Sequence, residues 1–150
     1  MRHAGSMALC IDKITGSRER NSMGNCLKVG ILGAGNIAGS MAEALNELQK
    51  EGKACAYAVA SRSQEKALEF ARKWNITRAY SSYEELASDP EVDLIYIATP
   101  HSLHYEQAKL CMEHGKNVLV EKAFTANARQ SEELFAMVEE KKVFITEAIW

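Results

Sequence analysis

The feature that most constrains this chain is a short apolar run, residues 28–32, that breaks into Gly33-Ala34-Gly35-Asn36-Ile37-Ala38 and then into a segment with helical spacing. A strand that turns through GxGxxA into a helix is the opening unit of a parallel sheet built by crossovers. The rest of the chain keeps that rhythm. Apolar runs at 54–60, 93–98, 117–120 and 143–146 are near-continuous rather than alternating, as expected of strands covered on both faces. Between them, Ile37, Met41, Leu45 and Leu48 define one helix face, and Ala67, Phe70, Ala71 and Trp74 a second. Ala108, Cys111 and Met112 define a third, and Ala128, Leu134, Phe135 and Val138 a fourth. A short strand at 78–80 and a short helix from Tyr83 fill the middle. The pattern predicts an α/β fold with a doubly wound parallel sheet. Ligands of such sheets bind at the carboxyl ends of the strands, where strand order reverses.

The glycine turn carries specific chemistry. Gly33 permits the tight turn, Gly35 lets the backbone approach a pyrophosphate, and the small Ala38 lets the helix pack on the strand. Asn36 and Ile37 open the helix and present backbone N–H groups to an anion. The end of the second strand selects the dinucleotide. An NAD site usually keeps Asp or Glu there, about 20 residues past the glycines, to accept from the ribose 2'-hydroxyl. Here the strand ends in Ser61-Arg62-Ser63, with no carboxylate. A guanidinium grips a 2'-phosphate through charge-assisted bonds, so NADP is the expected cofactor and NAD the less favoured one.

Two later strand ends fall on the same edge. The run 93–98 ends in Thr99-Pro100-His101, with His104 one turn further on, and the run 117–120 ends in Glu121-Lys122. A lysine at the mouth of a cofactor crevice can hydrogen-bond the oxygen of a carbon that gains or loses a hydride. Read alone, Glu121-Lys122 is a solvated charge pair, and His101 and His104 are ordinary loop and helix residues; it is the placement of Glu121-Lys122 at the crevice edge that favours the functional reading. No third ligand accompanies the two histidines, so no metal site is expected.

With 47% hydrophobic and 25% charged residues, a chain of 150 can bury one core without metal or disulfide. Residues 1–25 follow neither period and read as a flexible leader, with Met23 a candidate start, and the dinucleotide-binding domain is expected over 26–150. A formal charge of −2 with no dense Lys/Arg run argues against nucleic acid. No run of spanning length argues for a membrane. Cys10, Cys26, Cys55 and Cys111 are scattered without a CxxC, which reads as free thiols in a reducing, cytoplasmic setting.

Five motifs in register, GAGNIAG at 33–39, VASRS at 59–63, ATPHSLH at 98–104, EKAFT at 121–125 and EAIW at 147–150, resemble the glucose-fructose oxidoreductase, inositol dehydrogenase and MocA family. The alanine after Glu-Lys and the Glu-Ala-x-Trp ending resemble its dihydrodiol dehydrogenase-like branch, whose members are taken to prefer NADP and oxidise cyclic diols or sugars. The resemblance implies a catalytic role for Lys122 and places His101 and His104 in the loop beside the nicotinamide ribose. It implies hydride transfer between the nicotinamide and a secondary alcohol or ketone.

Two departures stand out. Ala123 occupies the place of the family's usual proline, the seat of a cis-proline turn. The second domain that carries substrate contacts in the family has no counterpart in these residues, so the chain as it stands is expected to bind cofactor without efficient turnover. That feature also motivates the alternative of a non-catalytic NADP-binding sensor or regulatory module. A methyltransferase would share a glycine-rich turn but would explain neither Ser61-Arg62 nor Glu121-Lys122. Without a partner domain, apolar surface around Phe124, Ile149 and Trp150 is expected to be uncovered, which promotes self-association and makes a homo-oligomer a possible partner state.

Overall fold

In the computed structural model, which describes residues 26–149, the strand leading into the glycine turn lies at the centre of a parallel sheet. The expected leader over 1–25, with Met23 and Cys10, and the last residue Trp150 lie outside the described residues. In chain order the strands are β1 (Leu27–Leu32), β2 (Ala54–Ala60), β3 (Arg78–Tyr80), β4 (Leu94–Ile97), β5 (Asn117–Glu121) and β6 (Ile145–Ala148). They lie side by side as β3-β2-β1-β4-β5-β6, and every pair is parallel. The order reverses between β1 and β4, so the doubly wound expectation holds and the ligand edge falls where those two strands end. Leu32 stands opposite both Ala60 and Ile97, which brings the exits of β1, β2 and β4 level with one another.

The connecting helices are α1 (Asn36–Lys50), α2 (Gln64–Trp74), α3 (Tyr83–Ser88), α4 (His104–Glu113) and α5 (Ala128–Lys141). Strand side chains alternate between two cores. Val29, Ile31, Tyr96 and Leu119 face a cluster completed by Met41, Leu45 and Phe70 of α1 and α2. Leu32, Ile95, Ile97 and Val120 face a second cluster with Leu86, Cys111, Met112 and Leu134 from α3, α4 and α5. Burying apolar area on both faces is what holds a sheet whose inner strands are mostly apolar. Local signals set the helix ends. Ser82 and Glu85 form a reciprocal capping box on α3, while Asn75 and Lys142 leave α2 and α5 in the left-handed conformation.

Three details differ from the sequence pattern. The last strand begins at Ile145 rather than 143, because the Asn117 side chain accepts from the Phe144 N–H and so occupies the start of the ladder. Ile37 is 39% exposed, since the first turn of α1 projects beyond the sheet edge, and Ala38 and Met41 take the buried positions instead. On α5 only Leu134 is fully buried; Ala128 is exposed and Phe135 stacks outside on Phe124 at 5.6 Å.

Asp89, just after α3, anchors the opposite edge of the sheet. Its carboxylate accepts from the Tyr80 hydroxyl at 2.7 Å and from the Glu91 N–H at 2.9 Å. Burial raises its pKa, but these bonds, with Arg78 at 4.0 Å, outweigh that effect and hold the carboxyl below its ordinary range. A depressed carboxyl stabilises the fold above its unfolded pKa, and the contribution is lost as pH falls through the folded value. Asp89→Asn should therefore be less stable by about 1–2 kcal/mol at pH 7, and the gap should close below about pH 4, measured by urea unfolding at both pH values.

Candidate functional site

The glycine turn is wedged between two strand exits. The Gly33 N–H donates to the Ala60 carbonyl at 2.9 Å, and a Cβ on Gly33 would stand 2.9 Å from the Ala98 carbonyl oxygen. With φ at +104° as well, the position excludes any side chain on two grounds. Gly35 is different. Its φ is −96°, and a Cβ there would meet nothing within 4 Å. The fold itself does not require glycine at 35, and the space over that backbone is open.

The helix that follows starts without a cap. Gly35 offers no side-chain bond, no acid sits in the first turn, and Asn36 and Ile37 are exposed. In contrast, α2, α3 and α5 each begin on a capping side chain, from Ser63, Ser82 and Asn127. Helix α4 lacks a side-chain cap too, but it is entered through the 3-10 turn His101–Leu103, where the Leu103 N–H bonds the Pro100 carbonyl. The α1 start thus combines the helix dipole with backbone donors that no side chain caps, the arrangement that suits an anion. A cleft of about 480 Å³ between α1 and α2 begins at Gly35 and Asn36 and continues past Lys66, Lys73 and Trp74.

Beside this turn lies the loop after β2. The Ser61 N–H donates to the Tyr80 carbonyl at 3.2 Å, and Ser61 Oγ accepts from the Ser63 N–H at 3.4 Å. Ser63 Oγ in turn accepts from the Lys66 N–H, so that hydroxyl serves the helix. Arg62 stands exposed between the two serines.

The other half of the edge is the pair of loops after β4 and β5. Thr99 is half-buried and its hydroxyl donates to Gln107, while Pro100 and His101 are exposed. His104 is only 1% exposed, and its ring nitrogens stand 2.8 Å from the Thr99 and Ala123 carbonyl oxygens. The ring therefore ties the two loops together and reaches the edge through them. Glu121 is buried at the end of β5, where it accepts from the Tyr96 hydroxyl at 2.5 Å, and Lys122 beside it is exposed. Burial, and then the bond to Glu121, push the Tyr96 hydroxyl far above its ordinary range, so it remains a donor. The Lys122–Ala123 peptide is cis, and Glu147 of β6 holds the turn by accepting from the Phe124 N–H at 2.8 Å.

Gly33, Gly35, Asn36, Ile37, Ser61, Arg62, Thr99, Pro100, His101, Glu121 and Lys122 all follow the carboxyl ends of strands or close them, as the sequence pattern requires, and His104 lies behind them. Sequence reasoning missed Tyr96 and Glu147. A tyrosine inside an otherwise aliphatic run, next to a strand ending in Glu, was the available signal for the first. No cluster of potential metal ligands exists among the described residues, and no described helix is long and apolar enough to cross a membrane.

A parallel sheet with a reversal beside a glycine turn and an uncapped helix is a Rossmann-fold domain. The chain belongs to the GFO/IDH/MocA family: a family model described as an oxidoreductase family with an NAD-binding Rossmann fold matches residues 27–148. Among similar proteins, the trans-1,2-dihydrobenzene-1,2-diol dehydrogenase of Mus musculus is 44% identical over 124 residues, 83% of this chain and 37% of its own length. The D-xylose 1-dehydrogenase (NADP(+)) of Hypocrea jecorina is 38% identical, over 83% of this chain and 34% of its own. A solved NAD-binding oxidoreductase from Klebsiella pneumoniae superposes with a TM-score of 0.76 at 30% identity, over 82% of this chain and 34% of its own. The 3-ketoreductase KijD10 from Actinomadura kijaniata, solved with NADP, gives 0.74 at 32% identity, over 82% and 38%. This chain thus spans little more than a third of the length of those curated relatives.

Two substitutions test the contacts that hold this edge together. Gly33→Ala should cost about 2 kcal/mol or more through strain at positive φ and the clash with Ala98. Tyr96→Phe should cost about 1.5–3 kcal/mol by removing a donor from a buried carboxylate, and urea midpoints would check both.

Proposed function

We propose that this chain is the NADP-binding domain of an oxidoreductase that transfers a hydride between nicotinamide and a secondary alcohol or ketone of a sugar or cyclic diol. The observation that carries this reading is Gly35. The protein leaves room there for any small side chain, yet the sequence keeps glycine next to an uncapped helix start. A ligand whose phosphates approach the backbone accounts for that choice.

The residues present fit the cofactor. Gly33, Gly35, Asn36 and Ile37 would hold the pyrophosphate at the α1 start, and Ser61 and Arg62 would hold the 2'-phosphate at the exit of β2. Thr99, Pro100 and His101, with Glu121 and Lys122, would border the nicotinamide half, and His104 would support that border from behind. Two relatives support NADP over NAD, the xylose dehydrogenase by its name and KijD10 by its bound NADP. When bound, the nicotinamide supplies the hydride donor or acceptor.

The chain's own part is orientation and proton handling. Lys122 is exposed at the end of β5 while Glu121 is turned into the core toward Tyr96, so the ammonium is free to meet a substrate oxygen. In that role it donates a hydrogen bond to a carbonyl being reduced, or accepts the proton of an alcohol being oxidised. The His104 bridge and the Glu147 bond hold the turn that carries it.

Calorimetric titration of the purified chain with NADPH and NADH, with its fold checked by circular dichroism, tests the proposal. Micromolar NADPH binding is expected, with NADH weaker by tenfold or more, about 1.4 kcal/mol. Arg62→Ala should narrow that preference, and Gly35→Ala should remain folded and lose both ligands. A well-folded chain that binds neither dinucleotide overturns the reading. In a longer form carrying a substrate domain, Lys122→Ala should lower turnover far more than cofactor affinity, and unchanged turnover would remove the lysine from the mechanism.

A further inference from the structure

The pairing of β1 with β2 brings together two cysteines that lie 29 positions apart in the chain. Leu27 stands opposite Ala54 and Lys28 opposite Cys55, so Cys26, just before β1, shares one side of the ladder with Cys55. The two Sγ atoms are 3.0 Å apart. A disulfide bond is about 2.05 Å long, so closing it asks for a movement of about 1 Å. Access to the two sulfurs is unequal: Cys26 is half-buried and Cys55 is 9% exposed. The remaining described cysteine, Cys111, lies fully buried in the core on the α4 side of the sheet. The pair sits at the amino end of β1, at the far edge of the sheet from the glycine turn.

We propose that Cys26 and Cys55 form a peroxide-responsive dithiol that closes reversibly into a disulfide between β1 and β2. The oxidant is hydrogen peroxide or an organic hydroperoxide. The Cys26 sulfur attacks the peroxide oxygen, an S–O bond forms as the O–O bond breaks, and the departing oxygen takes up the Cys26 thiol proton as water or alcohol, leaving a sulfenic acid on Cys26. The Cys55 sulfur then attacks the Cys26 sulfur, the S–S bond forms, the S–O bond breaks, and hydroxide leaves with the Cys55 proton as water. Two thiols are oxidised and one peroxide is reduced. Burial, and then the adjacent Cys26, push the Cys55 thiol up to about 12, so Cys55 stays protonated while the more open Cys26 meets the oxidant. A dithiol reductant restores both thiols by thiol–disulfide exchange and is itself oxidised to a disulfide.

The bond would enclose β1, the glycine turn and α1 in one covalent loop. Closing a loop of that length limits the unfolded chain, so oxidation should raise thermal stability.

The test is to oxidise the reduced, purified full chain with a few equivalents of hydrogen peroxide, map its peptides without reduction by mass spectrometry, and follow thermal unfolding. A Cys26–Cys55 cross-linked peptide and a Tm higher by about 5–10 °C are expected, both undone by dithiothreitol. Cys26→Ser should abolish the cross-link and the shift, and Cys10→Ser should keep both. The map of the unmutated chain decides on its own if Cys26→Ser folds poorly. Oxidation that stops at a sulfinic acid, a bridge through Cys10 or Cys111, an absence of reaction, or a cross-link with no rise in Tm would each overturn the proposal.

Discussion

Everything at the candidate site depends on how tightly three strand exits converge on Gly33. Its N–H is spent on the Ala60 carbonyl and its missing Cβ makes room for the Ala98 carbonyl, so the turn locks β2 and β4 against the end of β1. Parallel strands in level register make this possible, because they deliver their carboxyl ends to one edge together. The loops that leave those ends need no long reach to meet. A chain of this size can therefore place residues from positions 33 to 122 along one rim, with the two cores beneath holding the rim in place.

Along that rim, polar groups divide into those that face outward and those that brace from below. Arg62, His101 and Lys122 are exposed, whereas Glu121, His104 and Gln107 are buried and bonded within the protein. A buried carboxylate needs donors, and Tyr96, raised from the neighbouring strand, supplies one. Lys122 itself is exposed, and the backbone that carries it is held by the side chains of Glu121, His104 and Glu147. The division fits a site meant to receive a charged ligand. The outward groups remain available, and the inward ones keep the loops from adjusting around them.

The strand runs, the glycine turn and the face of α2 were legible because each rests on local periodicity or on a turn with one steric solution. What the sequence could not display was contact between distant segments. His104 reads as a helix residue and Glu121 as half of a solvated pair until β4 and β5 are laid side by side. Ile37 and Phe135 fit a helical stripe, yet both project past the surface the sheet covers, so periodicity alone overstated those faces. The edge strand β6 was shifted because a side chain, Asn117, does the work of backbone at its start.

The cysteines make the same point at the other end of the sheet. Sequence spacing treats Cys26 and Cys55 as unrelated, since local motifs such as CxxC bring thiols together within one turn of chain. A parallel pair of strands does so instead across a whole crossover, with α1 and its connections between them. The pairing that makes the glycine turn possible at one end thus makes a dithiol possible at the other. Because β1 is covered on both faces, chemistry at its amino end can strengthen the sheet while leaving the geometry of Gly33 to the hydrogen bonds that already define it.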